Sequence, residues 1–237
     1  NNAFAGCLSL KYISIPESVI CLNGNPFGDC VGEIECLSAN FIYEDDVLFN
    51  KDKSEIISFR NQEIESYIIP DSVTSIGDGA FWCCSSLSSL VIPDSVVNIK
   101  GNPFCYWKGK LECLSASFIY EDNVLFNMDK SKLISYRNQE AKSFIIPNGV
   151  MSIEKYAFSG CSSLISISVP KSVTSIGDGA FDGCSSLSSI AISDSITSIS
   201  AWTFDGCKSL RSLIIPDSVT CIGNEAFRGC SSLCSLV

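Results

Sequence analysis

The sequence predicts a β-rich repeat solenoid of about ten stacked coils, and three observations carry that prediction. The stretch Pro170 to Ile192, PKSVTSIGDGAFDGCSSLSSIAI, recurs along most of the chain as copies or edited versions. A proline three residues before Val or Ile stands at 16, 70, 93, 147, 170 and 216, with Ser193 replacing it once, so the gaps are 54, 23, 54, 23, 23 and 23. The sum of a long and a short gap, 77, itself recurs between Pro16 and Pro93 and between Pro70 and Pro147. A fixed period of this length marks units that cannot bury an apolar face alone and become stable by stacking on their neighbours.

Each 54-residue gap divides as 24 plus 30, with Asn40 and Ser117 at the proline position. Strands are then expected to end before 16, 40, 70, 93, 117, 147, 170, 193 and 216, with a tenth beginning at the C-terminus. Within one unit, Leu187-x-x-Ile190-x-Ile192 reads as a short strand whose alternate side chains face the core. The proline closes that strand because it lacks the amide a continuing ladder needs. Val173 and Ile176 turn inward on the return side, in a second extended segment favoured by Thr and Ile. The stretch GDGAFDGC is Gly-rich and short, which predicts a 3₁₀ or single helical turn with Phe181 plugging the corner.

The long units add an outer element. Val47 to Phe59, VLFNKDKSEIISF, places two apolar segments around a polar turn, and Val124 to Tyr136 repeats it; both read as β-hairpin inserts. Gly24-Asn25-Pro26-Phe27 and Gly101-Asn102-Pro103-Phe104 replace the Gly-Ala-Phe corner in these units, and Trp107 takes the place of a repeated cysteine. That register puts Trp107 in the core.

Of the fourteen cysteines, Cys7, Cys30, Cys84, Cys161, Cys184, Cys207 and Cys230 follow the corner phenylalanine at a nearly constant step. There is no CxxC, the commonest zinc and redox spacing. A small buried thiol stacked coil on coil is the simple reading, although neighbouring strands also lie close enough for disulfides. Asn1 to Cys7 aligns with Asp178 to Cys184, and the chain stops inside a repeat at Val237, so a piece of a longer array is expected.

Charge and composition exclude several roles. Net charge is −10, from 16 Lys+Arg against 26 Asp+Glu, with no basic cluster for a nucleic-acid backbone or an anionic membrane. No apolar run approaches the roughly 18 residues of a membrane span. With no histidine the usual Ser-His and Cys-His nucleophiles cannot be built, so no enzyme is predicted. Glu44-Asp45-Asp46 and Glu121-Asp122 are the best oxygen-rich runs for Ca²⁺, yet neither has an EF-hand spacing and both read as solvated turns. No metal or cofactor is expected.

The units Pro70 to Pro93, PDSVTSIGDGAFWCCSSLSSLVIP, and Pro170 to Ile192 resemble the BspA-like class of leucine-rich repeats over essentially the whole chain, and the VLFN hairpins resemble a variant of that class. The resemblance implies a leucine-rich-repeat right-handed superhelix, a single array over 1–237. It also implies an extracellular or cell-surface location and adhesion to host extracellular-matrix or other cell-surface proteins. No motif carries a known binding residue over.

The candidate surface is therefore read from the residues. Outward strand positions form three rows: Tyr12, Cys36, Ser66, Ser89, Cys113 and further serines; Lys11, Glu35, Glu65 and so on to Arg211; and Ser14, Ser38, Ile68, Val91, Ser115, Ile145, Ser168, Ala191, Ile214 and Val237. This face is small and hydroxylic. Tyr12 and Arg211 are its hot-spot residue types, and Glu35 and Ile214 add a charge and an apolar contact. Trp82, at the Asp182 position of the corner, is the preferred single aromatic contact. A structural spacer and a carbohydrate-binding module are the competing roles.

Overall fold

The computed structural model describes residues 3–4, 6–28, 30 and 32–236. The expected alignment of Asn1, Asn2 and Ala5 and the outward place of Val237 lie outside them. The chain divides into two compact units, Asn1–Ser117 and Phe118–Val237. Each is a β-solenoid, and no helix occurs among the described residues.

The first unit carries five strands on the proline side, Tyr12–Ile15, Glu33–Cys36, Ser66–Ile68, Ser89–Ile92 and Lys110–Cys113. The second unit carries the other five, Ser143–Ile145, Ser166–Ser168, Ser189–Ala191, Ser212–Leu213 and Ser235–Leu236. Pairing is parallel wherever two of these strands bond. The regular coils pair at a step of 23, as in Ser166 with Ser189. The return side forms two-residue strands such as Ser152–Ile153 and Ser175–Ile176, again parallel.

The short coils depart from the expected register. Tyr12 pairs with Glu33 and Ser89 with Lys110, so that coil advances 21 residues instead of 24. Inward alternation decides this: Ile34 and Leu111 are buried opposite Ile13 and Leu90. Leu37 and Leu114, not Asn40 and Ser117, therefore follow the strand where proline does elsewhere. The chain then turns inward, burying Ser38 and Ser115, whose hydroxyls donate to the Val19 and Val96 carbonyls at 2.7 and 2.6 Å. Ser38 and Ser115 leave the outward row, and Cys36 and Cys113 are only partly exposed.

Both hairpins form, and each gains a third strand. Phe41–Glu44 pairs antiparallel with Val47–Asn50, which pairs with Glu55–Phe59; Phe118–Glu121, Val124–Asn127 and Lys132–Tyr136 repeat the meander. The last strand of each joins the return-side ladder in parallel. Asp45-Asp46 and Asp122-Asn123 take φ of 49°, 60°, 49° and 62°, the two left-handed positions of a tight hairpin turn. These acidic runs thus serve as turns, with Glu44 and Glu121 paired to Lys53 and Lys130 across the meander.

The corners are tied by single i to i+3 bonds, Ala180 N to Gly177 O at 3.2 Å and Cys184 N to Phe181 O at 3.1 Å, without a 3₁₀ helix. Left-handed residues at Gly179 (59°) and Gly183 (69°) interrupt any helical run, and Tyr156, Trp202 and Glu225 accept the same conformation in other coils. Corner amides bond to the next coil, with Phe158 N, Phe181 N and Phe204 N reaching the carbonyls of Ala180, Thr203 and Ala226 at 2.8 to 2.9 Å.

The core of the second unit is a phenylalanine ladder. Phe158, Phe181, Phe204 and Phe227 stack at centroid separations of 5.3, 5.5 and 5.5 Å. All fourteen cysteines are free thiols. Those of the ladder donate to the phenylalanine carbonyl of the preceding coil: Cys184 to Phe158, Cys207 to Phe181 and Cys230 to Phe204, at 3.2, 3.3 and 3.1 Å. Burial pushes the Cys161 thiol up to about 12 and the Cys184 thiol well above its ordinary value. Such thiols are neutral packing groups at physiological pH.

Candidate binding surface

Strand alternation leaves one open face on each unit. In the second, Ser143, Ser166 and Ser189 align in one row, and Ile145, Ser168 and Ala191 in the next. Ile145 and Ile214 are each 75% exposed, and Ile68 on the first unit 67%. Large side chains standing this far from the sheet contribute nothing to its core. Arg211 directly precedes Ser212–Leu213 and Ile214 directly follows it, so the two flank one short strand.

On the first unit the corrected register brings Tyr12 and Glu35 together. Tyr12 and Ser14 alternate outward, as do Glu33 and Glu35 opposite them. The Tyr12 hydroxyl donates to the Glu35 carboxylate, and Ser14 donates to the same oxygen at 3.2 Å. The bond to Glu35 holds the Tyr12 phenol above its ordinary pKa. The pair presents an acidic and aromatic patch. Further along, Lys110 and Glu112 continue the rows of Ser89 and Val91.

Trp82 lies on the corner, half-buried instead of standing free. Its ring spans the neighbouring corner at Gly28, where a Cβ would sit 3.3 Å from it, and stacks at 5.8 Å with Tyr106. Trp202 is more open, 36% exposed, with its indole N–H donating to Glu225 at 3.3 Å. Tyr156 covers Gly179 so closely that a Cβ there would meet the ring at 2.2 Å. Trp107 is in the core, its N–H donating to the Leu87 carbonyl at 2.6 Å. Among the described residues no cluster of His, Cys, Asp and Glu could hold a metal ion, and no helix is long and apolar enough to cross a membrane.

The model of the BspA type leucine rich repeat region matches residues 1–106, 52–139 and 132–237, in six copies. The chain belongs to the BspA-type leucine-rich-repeat family. Its solved likenesses agree. A leucine rich cell surface protein from Faecalibacterium prausnitzii A2-165 is 29% identical with a TM-score of 0.65, over 100% of this chain and 62% of that one. The pneumococcal vaccine antigen PcpA is 25% identical with a TM-score of 0.66, over 95% and 61%. A leucine-rich repeat protein from Eubacterium ventriosum ATCC 27560, 20% identical with a TM-score of 0.59 over 99% and 68%, shares the fold. The chain thus spans about three fifths of the first and of PcpA. A comparison with curated proteins finds no match.

A BspA-type repeat of bacterial surface proteins suggests a protein-interaction or adhesion module, and solenoids of this family are typically non-catalytic. Sequence reasoning missed two features of the surface. The Tyr12–Glu35 bond depends on the 21-residue step, which inward Ile34 signals. Arg60, buried beside Phe27, carried no signal, because an arginine just past a strand reads as solvent-facing.

Proposed function

We propose that this chain is a non-enzymatic protein-binding module of a cell-surface or secreted adhesin, acting as one array of about ten coils. It engages host extracellular-matrix or other cell-surface proteins through its open strand face. The observation that carries this reading is the set of large apolar side chains raised on a hydroxylic face: Ile68, Ile145 and Ile214, 67 to 75% exposed. Single exposed apolar residues are ordinary on protein surfaces; these three recur at one outward row, 77 and 69 residues apart. The family and the surface-protein likeness support the location. Weak contacts of this kind gain strength by repetition along an array.

The test is a pulldown of host-matrix and bacterial-surface proteins, compared with a variant carrying Tyr12→Ala, Glu35→Ala, Arg211→Ala and Ile214→Ser. Enrichment by the native chain that the variant loses is expected. Equal capture by both would remove the strand face as the site.

A further inference from the structure

The first hairpin unit leaves a cavity that the regular coils lack. In a regular coil each corner stacks directly on the next. Here the meander Phe41–Glu44, Val47–Asn50 and Glu55–Phe59 occupies the intervening coil in place of a corner. The flanking corners close over it, with Asn25 N donating to Asp78 O at 3.0 Å and Asn25 Nδ2 to Gly79 O at 2.8 Å. Phe59 substitutes for the missing corner phenylalanine, stacking on Phe81 at 5.3 Å and accepting the Cys84 thiol at 3.5 Å. The next residue, Arg60, is then carried inward.

Arg60 is only 8% exposed. Its guanidinium lies over the Phe27 ring at 5.4 Å, and Nη2 donates to the Gly32 carbonyl. Nε and Nη1 are buried without a hydrogen-bond partner. A guanidinium stays protonated at any physiological pH, so burial cannot relieve the charge by deprotonation. Arg60 lines a cavity of about 200 Å³ whose walls include Phe27, Phe59, Trp82, Gln62 and Ser85.

We propose that this cavity is a binding site for a carboxylate carried on a small apolar body. The buried cation supplies the charge complement, and its unpartnered nitrogens supply the donors. Aromatic walls suit a flat or branched apolar body. The polar neighbours are largely spent: Asn25 also accepts from Phe27 N at 2.9 Å, and Gln62 donates to the Arg60 carbonyl at 3.3 Å. One cation with few spare donors fits a single carboxylate better than a phosphate dianion. The site is separate from the open strand face and does not rest on the adhesion reading. The carboxylate comes either from a free small acid or from the end of a peptide chain.

Titration of the 237-residue chain with benzoate and with N-acetylphenylalanine distinguishes these sources, read by the side-chain Nε–H resonance of Arg60 and the indole resonance of Trp82. Saturable millimolar binding of at least one acid is expected, and the stronger one names the source. Benzamide should bind at least about tenfold more weakly, since it lacks the charge. Arg60→Met should abolish binding. Because that change also removes the donor to Gly32, Ser85→Trp serves as a second variant, blocking the cavity from an exposed wall while leaving Arg60 and the melting temperature unchanged. No saturable shift with either acid, equal binding of benzamide, or native binding by a folded Ser85→Trp chain would overturn the proposal.

Discussion

The corners of the second unit and the first hairpin unit solve the same packing problem with opposite results. From Phe158 to Phe227, rings and thiols repeat without interruption, and each coil fills the space its neighbour leaves. Between Phe27 and Phe59 the inserted meander breaks that repetition, and a buried guanidinium lies over the Phe27 ring. Regular repetition yields a closed core, while an inserted element gives an enclosed, chemically distinct space. Variation within a repeat protein is therefore informative where it interrupts the stack.

Removing a ring tests the contrast most strongly. Phe181→Ala, with stacked rings on both sides, should lose ~3 to 5 kcal/mol in urea unfolding. Phe27→Ala should lose less, because the cavity beside it lets its neighbours relax. Equal losses would break the comparison. A smaller effect follows from the thiols. Folded Cys184 keeps its proton while an unfolded thiol ionises near 9.0, so the unfolded state binds fewer protons and stability falls as pH rises above that value. Urea midpoints in reducing buffer at neutral and alkaline pH should show this fall, reduced in Cys184→Ala and unchanged in Cys7→Ala, whose thiol is exposed.

The two meanders sharpen the comparison at lower energy. Asn50 and Asn127 each bond across their turns, accepting from Glu55 N and Lys132 N at 2.9 and 2.8 Å. Asn50→Ala and Asn127→Ala should each cost about 1 kcal/mol, and a clear inequality would show that the two copies are not energetically equivalent. Lys130→Met, which removes the exposed pair with Glu121, should cost under about 1 kcal/mol and nothing at high salt.

Much of the fold was legible because its punctuation has a backbone cause. Proline marked strand ends, the inward Leu and Ile set the alternation, and the hairpins stood out by their polar turns. The third meander strand was not legible: in Phe41–Glu44 one residue is buried and the next two partly so, with no clean alternation, and its turn uses Asp-Asp in place of the usual Asn-Gly. The 21-residue step was hidden because the proline ruler counted the buried Ser38 and Ser115 turns as strand. At the candidate surface, Tyr12, Glu35, Arg211 and Ile214 were readable as outward residues. The environment of Trp82 was not, since the glycine its ring covers, Gly28, lies 54 residues away in the chain.

The corner amides also carry a direction in time. On the strand side, amides such as Ser188 N reach back to carbonyls already synthesised, here Ile165 at 2.9 Å. At the corners, Phe158, Phe181 and Phe204 donate forward, to carbonyls 22 residues further along. As a nascent chain leaves the ribosome N-terminus first, each coil can dock its strand at once but must wait for its successor to tie its corner. Closure trails synthesis by one coil, so the newest turn of a growing array is always the one with its corner donors still open to water.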